Sequence, residues 1–293
     1  MTPPLIFDRD LLTRRRNRIA ATATMHEFLL TRVADDLVER LSAINRRFAV
    51  ALDLGCHHGV LARALRDRAG VPLVVAADMA ELMVAAAPGP RIVADDEALP
   101  FRDGAFDLIV SGLSLHLTND LPGALVQARR ALKPDGLLLA TVLGGRTLAE
   151  LREAFLLAET EIDGGASPRV APFADIRDLG SLLQRAGFAL PAVDSDVVTV
   201  TWGKALELMR EIKAMGASNM LTERRRRPAS RRLVARACAI YEQRYADKSG
   251  RIPATFELIT LTGWAPHESQ QKPLKPGSGR VSLTDALMPK SGT

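Results

Sequence analysis

The chain has 293 residues, of which 47% are hydrophobic and 25% are charged, an ordinary globular composition that excludes wholesale disorder. Its formal net charge of +5 is mild, and its aromatic content of 4% gives little support to nucleic-acid binding. No apolar run approaches the roughly 20 residues that a membrane-spanning helix needs. We therefore expect neither a nucleic-acid partner nor an integral membrane segment.

The N-terminal part of the chain, residues 1–46, is predicted as a helical segment. Within it, the pattern over 9–46 is helical because apolar residues recur every four positions with charges between them. These positions are Leu29, Val33, Leu37 and Leu41.

Residues 47–145 are predicted to form a core of strands that alternate with helices. The strands are short apolar runs at 49–53, 73–77, 91–94, 106–111 and 137–142. A turn is predicted at 133–136, before the last of them. Continuous apolar strands separated by amphipathic helices indicate a parallel sheet covered on both faces. The fold class is therefore α/β, a doubly wound and mostly parallel sheet of the Rossmann type.

Residues 146–266 are predicted to complete the sheet at one edge. Strands are expected at 193–202 and 255–264, which brings the total to seven, and they pair if the helical segment 203–252 is inserted between them. Helices are predicted at 147–162, 174–186, 204–215 and 231–245. The remainder, 267–293, is rich in Pro, Gly, Ser and Lys and is predicted to be a flexible tail.

The turn after the first strand has the order Asp-x-Gly-x-x-x-Gly, formed by Asp53, Gly55 and Gly59, with Cys56 inside it. Glycine suits a tight turn against which a ligand presses. A carboxylate at this position would repel a dinucleotide pyrophosphate, but it can hold an ammonium group. S-adenosylmethionine (SAM) carries an ammonium and no phosphate. The turn therefore favours SAM as the cofactor.

Further acidic residues end the next two strands. Asp78 lies about 20 residues after the turn, where an acid binds both ribose hydroxyls in nucleotide sites. Asp95 is expected to accept a hydrogen bond from the adenine amine. Met79, Asp96 and Ser111 complete the predicted cofactor site.

Neither the histidines nor the cysteines predict a metal site. The histidines lack the spacing of a two-histidine, one-carboxylate centre; they are His26, His57, His58, His116 and His267. His57 and His58 are expected to be solvent-facing turn residues with diverging side chains, and the alternative is that one of them covers the cofactor. Cys56 and Cys238 form no disulfide or metal pattern and are expected to be small buried residues.

The core resembles class I SAM-dependent methyltransferases between about residues 50 and 142. The matching segments are 53–55, Asp78, Asp95 with 99–101, and 106–110. This resemblance is specific for the cofactor and does not name the reaction.

Segments outside the core carry a closer resemblance, from residue 6 to nearly 287. They are 6–9, 114–122, 144–152, 167–173, 215–219 and 267–270. They resemble the complex I assembly factor with a methyltransferase fold and its bacterial relatives. That branch implies hydroxylation of an arginine in the quinone-proximal iron–sulfur subunit of complex I. Leu117 and the run Arg224–Arg227 depart from the pattern, which leaves the substrate details open.

The start of this resemblance bears on localisation. It begins at Ile6, which leaves no room for a mitochondrial presequence. We therefore expect a bacterial cytoplasmic protein, or a protein of the mitochondrial matrix if the source is eukaryotic. The sequence leaves the oligomeric state open.

The candidate catalytic residues are His116 and Asp120, which follow the fourth strand. His116 suits a general base or a substrate clamp. A carboxylate such as Asp120 or Glu150 would pair well with an arginine substrate. Helices 147–162 and 203–245 are expected to form a lid over the target peptide. The basic clusters at 14–18 and 224–232 suit an acidic partner if they are not simply solvated helix faces.

Two other functions fit the same sequence. The first is a SAM-dependent O-methyltransferase of the malonyl-acyl-carrier-protein type, whose relatives share the core and a basic surface. The second is a non-catalytic chaperone that binds SAM only for structure.

Overall fold

The computed structural model describes residues 5–271, in which helices cover both faces of one sheet. The strands are β1 (Val50–Leu54), β2 (Leu73–Asp78), β3 (Arg91–Val93), β4 (Phe106–Gly112), β5 (Leu132–Leu143), β6 (Ala189–Trp202) and β7 (Ile252–Trp264). The α-helices are α1 (Arg9–Ile19), α2 (Phe28–Ser42), α3 (Val60–Asp67), α4 (Glu81–Val84), α5 (Leu121–Ala131), α6 (Ala149–Asp163), α7 (Ile176–Arg185), α8 (Ala205–Ala214) and α9 (Arg231–Tyr245). None of the helices within 5–271 has the length and apolarity to cross a bilayer.

The strand order in the sheet is β3-β2-β1-β4-β5-β7-β6. The strands from β1 to β5 are parallel, whereas β7 runs antiparallel to both β5 and β6. The predicted fold class, with seven mostly parallel strands and a helical insertion between the last two, is confirmed. The chain reverses its direction of winding between β1 and β4, and ligands of such sheets bind at this point, beyond the carboxyl ends of the strands.

The central strands β1, β4 and β5 bury both faces because they are apolar on both sides, whereas the edge strands β3 and β6 are half-buried or exposed. One face packs against α2, α3, α6, α8 and α9, and the other packs against α5 and α7. Tyr241 of α9 is fully buried and donates its hydroxyl hydrogen to the carbonyl of Pro253 at 2.7 Å. This bond ties the inserted helices to β7.

The N-terminal prediction of helix throughout 9–46 is wrong in its middle and at its end. Residues Ala20–His26 form a 3₁₀ helix between α1 and α2, and α2 stops at Ser42. The Thr22 hydroxyl donates to the carbonyl of Ile19 at 3.2 Å, and such local bonds compete with a continuous α-helix. The chain therefore turns after α1, which lets α1 lie across the carboxyl edge of the sheet.

The turn predicted at 133–136 lies inside β5, which begins five residues earlier than expected. Asp135 has a φ of +61° and the register with β4 shifts here, so the turn residues form a bulge in the strand. In the predicted tail, Gln270 donates to Asp135 at 2.8 Å. The rest of that prediction, 272–293, lies outside the described residues, and the other segment boundaries stay predictions.

Candidate functional site

The turn after β1 brings the backbone close to the loop that follows β4. Gly55 has a φ of +68°, and a Cβ there would lie 2.2 Å from the Cβ of Ser114. Gly59 caps α3 with a φ of +83°. Between them, the amide of Cys56 donates to Ala77 and its carbonyl accepts from Gly59. Cys56 therefore holds the turn together through both of its backbone polar groups.

Asp53 lies at the end of β1 and is fully buried. Its Oδ2 accepts a hydrogen bond from the amide of Ala62 at 2.9 Å, and its Oδ1 has no partner among the described residues. Burial is the main reason why the pKa of this carboxyl is raised to about 7; the hydrogen bond from Ala62 offsets part of the rise, and the negative charge of Asp78 adds a smaller one. Asp53 thus offers an unpaired oxygen and a weakened preference for the ionised state.

A buried polar network joins the ends of β2 and β3 to α1. The Oδ2 of Asp78 accepts from the amide of His57 at 3.0 Å and from the guanidinium of Arg16 at 3.1 Å. Arg16 also donates to Ser114 at 3.3 Å, and the hydroxyl of Ser114 donates to Asp96 at 2.8 Å. Two predicted cofactor residues, Asp78 and Asp96, are therefore brought together with Arg16 between them.

Asp95 lies nearer the surface than Asp96 and pairs with a second residue of α1. Its carboxylate forms an ion pair with Arg9 and accepts from the amide of Glu97 at 2.9 Å. Met79, half-buried, packs against the small cluster that contains Leu12 and Phe7. The acids expected to face ribose and adenine are thus each paired with an arginine of α1.

Three buried oxygen atoms at this edge have no hydrogen-bond partner among residues 5–271. They belong to Asp53 (Oδ1), Asp96 (Oδ1) and Ser111 (Oγ). Buried polar atoms are normally satisfied, so an unsatisfied group marks a place where a ligand or ordered water binds. A hydroxyl- and amine-bearing molecule such as SAM fits three acceptors of this kind beside a glycine turn. The residues present therefore fit the cofactor that the sequence predicts.

A cavity of about 350 Å³ lies beside this edge. Its wall is mostly apolar and comes from segments far apart in the chain, including Leu12, Leu29, Leu113, Phe155, Phe173, Ile212 and Met215. The polar side chains on the wall include His57, His116, Arg16 and Arg169. Among the described residues no aspartate or glutamate lines this cavity. Helices α6 and α8 contribute to its wall.

His116 and His57 face this cavity as neutral imidazoles. Burial, followed by the nearby charge of Arg16, lowers the pKa of each to about 3. The Nδ1 of His116 is buried without a partner, and its ring lies edge-on to Phe173 at 5.4 Å. Because a base with so low a pKa takes up protons poorly at neutral pH, this environment favours the clamp over the general base for His116.

The expectation that His57 and His58 face solvent is wrong. His57 approaches the carbonyl of Gly112 at 3.2 Å, and His58, only 2% exposed, bonds to Glu27 at 2.6 Å. Their side chains diverge as expected. The turn is covered by α2, which buries the second histidine.

The two candidate carboxylates, Asp120 and Glu150, form hydrogen bonds away from the cavity. Asp120 is exposed, and its carboxylate caps α5 by accepting from the amide of Gly123 at 2.9 Å. Glu150 accepts from the backbone amide and the hydroxyl of Thr255. Neither lies on the cavity wall, because each is turned toward its own helix or strand. A pairing of Asp120 with an arginine substrate therefore has no support in this geometry.

The sequence analysis includes Arg16 in a basic cluster and Arg169 in a segment of family resemblance, but it predicts for neither the place that both take on the cavity wall. The spacing of Leu12, Arg16 and Ile19 by four and three residues puts Arg16 on the apolar face of α1, and that spacing was the available signal. Arg169 ion-pairs at 2.5 Å with the fully buried Glu159. No periodicity points to it. The described residues contain no cluster of three or more His, Cys, Asp or Glu that could hold a metal.

Comparison with known proteins places this geometry in a family. The family described as "Methyltransferase domain" matches residues 25–193. Human "Arginine-hydroxylase NDUFAF5, mitochondrial" is 40% identical over 285 residues, which cover 95% of this chain and 82% of that protein. "Malonyl-[acyl-carrier protein] O-methyltransferase" of Halorhodospira halophila is 36% identical, over 94% of this chain and 95% of its own.

A solved structure agrees on the fold. Phosphoethanolamine N-methyltransferase 2 of Haemonchus contortus, in complex with S-adenosyl-L-methionine, aligns with a TM-score of 0.52 at 15% identity. The alignment covers 85% of this chain and 57% of that protein. The chain therefore belongs to the methyltransferase-domain family, as an enzyme whose cofactor is S-adenosylmethionine and whose relatives include the arginine hydroxylases.

Proposed function

We propose that this enzyme hydroxylates an arginine of the quinone-proximal iron–sulfur subunit of respiratory complex I during its assembly. The observation that carries the proposal is the 40% identity to the human arginine hydroxylase over 95% of this chain. That identity extends beyond the SAM-binding core into the segments that build the cavity wall. The substrate subunit rests on the resemblance of the segments 144–152 and 215–219 to the complex I assembly branch.

In this proposal the acidic edge of the sheet holds SAM. Asp53 pairs with the ammonium group, Asp78 accepts from the ribose hydroxyls, and Asp95 with its neighbour Asp96 binds the adenine side. When bound, SAM supplies a positively charged sulfonium centre. The unpaired oxygen of Asp53 and the glycine turn at Gly55 are the supporting observations.

The cavity holds the substrate side chain in an environment from which water is largely excluded. His116, neutral and with an unpartnered Nδ1, acts as the hydrogen-bonding clamp. Hydroxylation replaces a C–H bond of the arginine with C–O–H. The reaction needs two external co-reactants, O₂ and a two-electron hydride donor: one oxygen atom enters the product, and the other leaves as water with the two electrons and one proton of the hydride and one proton from solvent.

The test is deletion of the gene followed by peptide mass spectrometry of the quinone-proximal subunit. Loss of one oxygen atom from an arginine-containing peptide supports the proposal, and re-expression of the wild-type protein restores it. Loss of one methylene unit instead would show that the same subunit is the substrate but that the reaction is methylation. An unmodified subunit in the wild type, with normal complex I in the deletion strain, contradicts the proposal.

A second candidate is O-methylation of a carboxylate, as in the malonyl-acyl-carrier-protein relatives. One observation favours it: the charged groups on the cavity wall are arginines, and no described carboxylate there can pair with a substrate guanidinium. An acyl chain that ends in a carboxylate would suit apolar walls and a guanidinium. Methyl transfer from SAM to malonyl-acyl carrier protein by the purified enzyme, and a biotin requirement in the deletion strain, would establish this function over the first.

A further inference from the structure

A second cavity, of about 460 Å³, lies next to the apolar one, and six of its ten lining residues are arginines. We call this cavity the arginine vestibule and define it by Arg15, Arg169 and Arg224–Arg227. The remaining lining residues are Ser218, Asn219, Pro228 and Ala229. The vestibule combines three segments of the chain: α1, the loop after α6 and the loop between α8 and α9.

These three segments are fixed to one another by hydrogen bonds. The amide nitrogen of the Asn219 side chain donates to the carbonyl of Pro168 at 2.7 Å. The guanidinium of Arg15 donates to the carbonyls of Ser218 and Asn219, each at 2.6 Å. The backbone amide of Asp8 donates to the carbonyl of Met220 at 2.8 Å. The arginines are therefore presented by a preformed wall.

The vestibule has more guanidinium groups than carboxylates. Arg169 pairs with Glu159, Arg224 pairs with Asp8 at 2.9 Å, and Arg225 pairs with Asp163. Arg15, Arg226 and Arg227 form no salt bridge with residues 5–271, and the last two are exposed. Burial, followed by the charges of Arg224 and Arg18, lowers the pKa of Arg15 from its usual value. The surplus positive charge is thus concentrated on one wall.

The vestibule adjoins the apolar cavity, because Arg169, Ser218 and Asn219 line both. A ligand that fills both spaces must carry a negative charge and, a short distance away, a side chain that enters an apolar cavity. A polypeptide has this combination, whereas a free anion does not. Nucleic acid fits poorly, because no aromatic side chain lines the vestibule to stack on a base.

We propose that the arginine vestibule docks an acidic segment of the protein substrate and thereby positions the neighbouring target residue in the apolar cavity. This inference rests on the proposed function in that the substrate is a protein. It adds that aspartates or glutamates lie close to the modified residue in the partner's sequence. Arg226 and Arg227 make the first contacts, and Arg15 and Arg169 act at the passage into the cavity.

The test is fluorescence anisotropy with the full-length enzyme and a labelled hexaglutamate peptide as the probe. The variant is Arg226→Glu with Arg227→Glu. The matched control is Arg177→Glu with Arg185→Glu, two exposed arginines on α7 outside both cavities. We expect the vestibule variant to lose roughly tenfold or more in affinity, with the control within about twofold, since charge reversal at a complementary surface weakens association. Affinity for S-adenosylhomocysteine should stay unchanged in both variants, which shows that they fold.

Equal loss of affinity in the two double variants would overturn the inference, as would hexalysine binding as well as hexaglutamate. Tighter binding of inorganic phosphate than of the peptide would also overturn it, because the site would then be a phosphate site. A different result would contradict the proposed function itself: a complex I subunit that is unmodified in the wild type. If that subunit is modified, the vestibule variant should reduce the modified fraction in cells at equal enzyme abundance.

Discussion

The carboxyl edge of the sheet and the apolar cavity beside it bury opposite charge. At the edge, Asp53, Asp78 and Asp96 are at most 2% exposed. Around the cavity, Arg16 and Arg169 are the lining arginines, and the imidazoles of His57 and His116 are neutral. In the proposed function, the edge binds the polar and cationic groups of the cofactor. The cavity then holds the substrate side chain away from water, and charged residues around it recognise the rest of the substrate.

The largest expected effect comes from Asp78→Asn, which breaks the charge balance of the edge. Arg16 would stay buried without its counterion, so we expect a loss of about 3–5 kcal/mol in the free energy of unfolding. Denaturant titration measures the loss, and calorimetry should show much weaker binding of S-adenosylhomocysteine. Adding Arg16→Gln should restore part of the stability but not the binding. No gain in stability from the second change would contradict the pairing.

The second prediction compares two glycines with nearly the same backbone conformation. Gly55→Ala adds a Cβ that would lie 2.2 Å from Ser114, whereas Gly70→Ala, with a φ of +67°, meets nothing within 4 Å. We expect a cost of about 2–4 kcal/mol for the first and about 1 kcal/mol for the second. Thermal unfolding of the two variants decides this. Equal costs would show that only backbone strain acts at Gly55.

The third prediction concerns Asp53, whose pKa of about 7 in the folded protein exceeds its usual value of 3.8. The folded state therefore prefers the protonated carboxyl, and this stabilising contribution is complete below pH 4 and lost as the pH rises through 7. At pH 8 and without cofactor, Asp53→Asn should raise stability by on the order of 2–4 kcal/mol, because the amide needs no ionisation. At pH 5 the gain should shrink.

The same substitution should weaken S-adenosylhomocysteine binding, since an amide pairs poorly with an ammonium group. Wild-type affinity should also fall as the pH drops below about 7, while that of the variant changes less. Titration calorimetry between pH 5.5 and 8.5 measures both. If the variant binds S-adenosylhomocysteine as tightly as the wild type at pH 8, Asp53 does not contact the cofactor.

The smallest expected effect lies in the cavity. His116→Ala should slow substrate modification by roughly tenfold through loss of positioning, with little change in stability. Because the pKa of His116 is about 3, the wild-type rate at saturating SAM should show no imidazole titration between pH 5 and 8. A pH profile of single-turnover rates tests this. A transition near pH 6.5 that disappears in the variant would make His116 a general base.

The sequence made the edge predictable because its groups occupy fixed places in the fold. Asp53 and Asp78 end strands, so their convergence follows from the parallel sheet alone. The cavity was far less predictable. Its wall joins α1, α6 and the 215–220 segment, and their approach depends on the 3₁₀ turn that follows α1. Asp120 is polar and follows the right strand, so the sequence predicts it as a catalytic residue. In the structure it does not line the cavity.

The two ion pairs made by α1 have a consequence for how the cofactor enters. Arg16 holds Asp78 and Arg9 holds Asp95, so a ligand that needs both carboxylates competes with one helix at two points. Its apparent affinity is the intrinsic affinity reduced by the fraction of molecules in which α1 has released them. Anything that retains α1 against the sheet, such as a substrate segment on Arg15 of the same helix, therefore alters the rate and the extent of cofactor exchange.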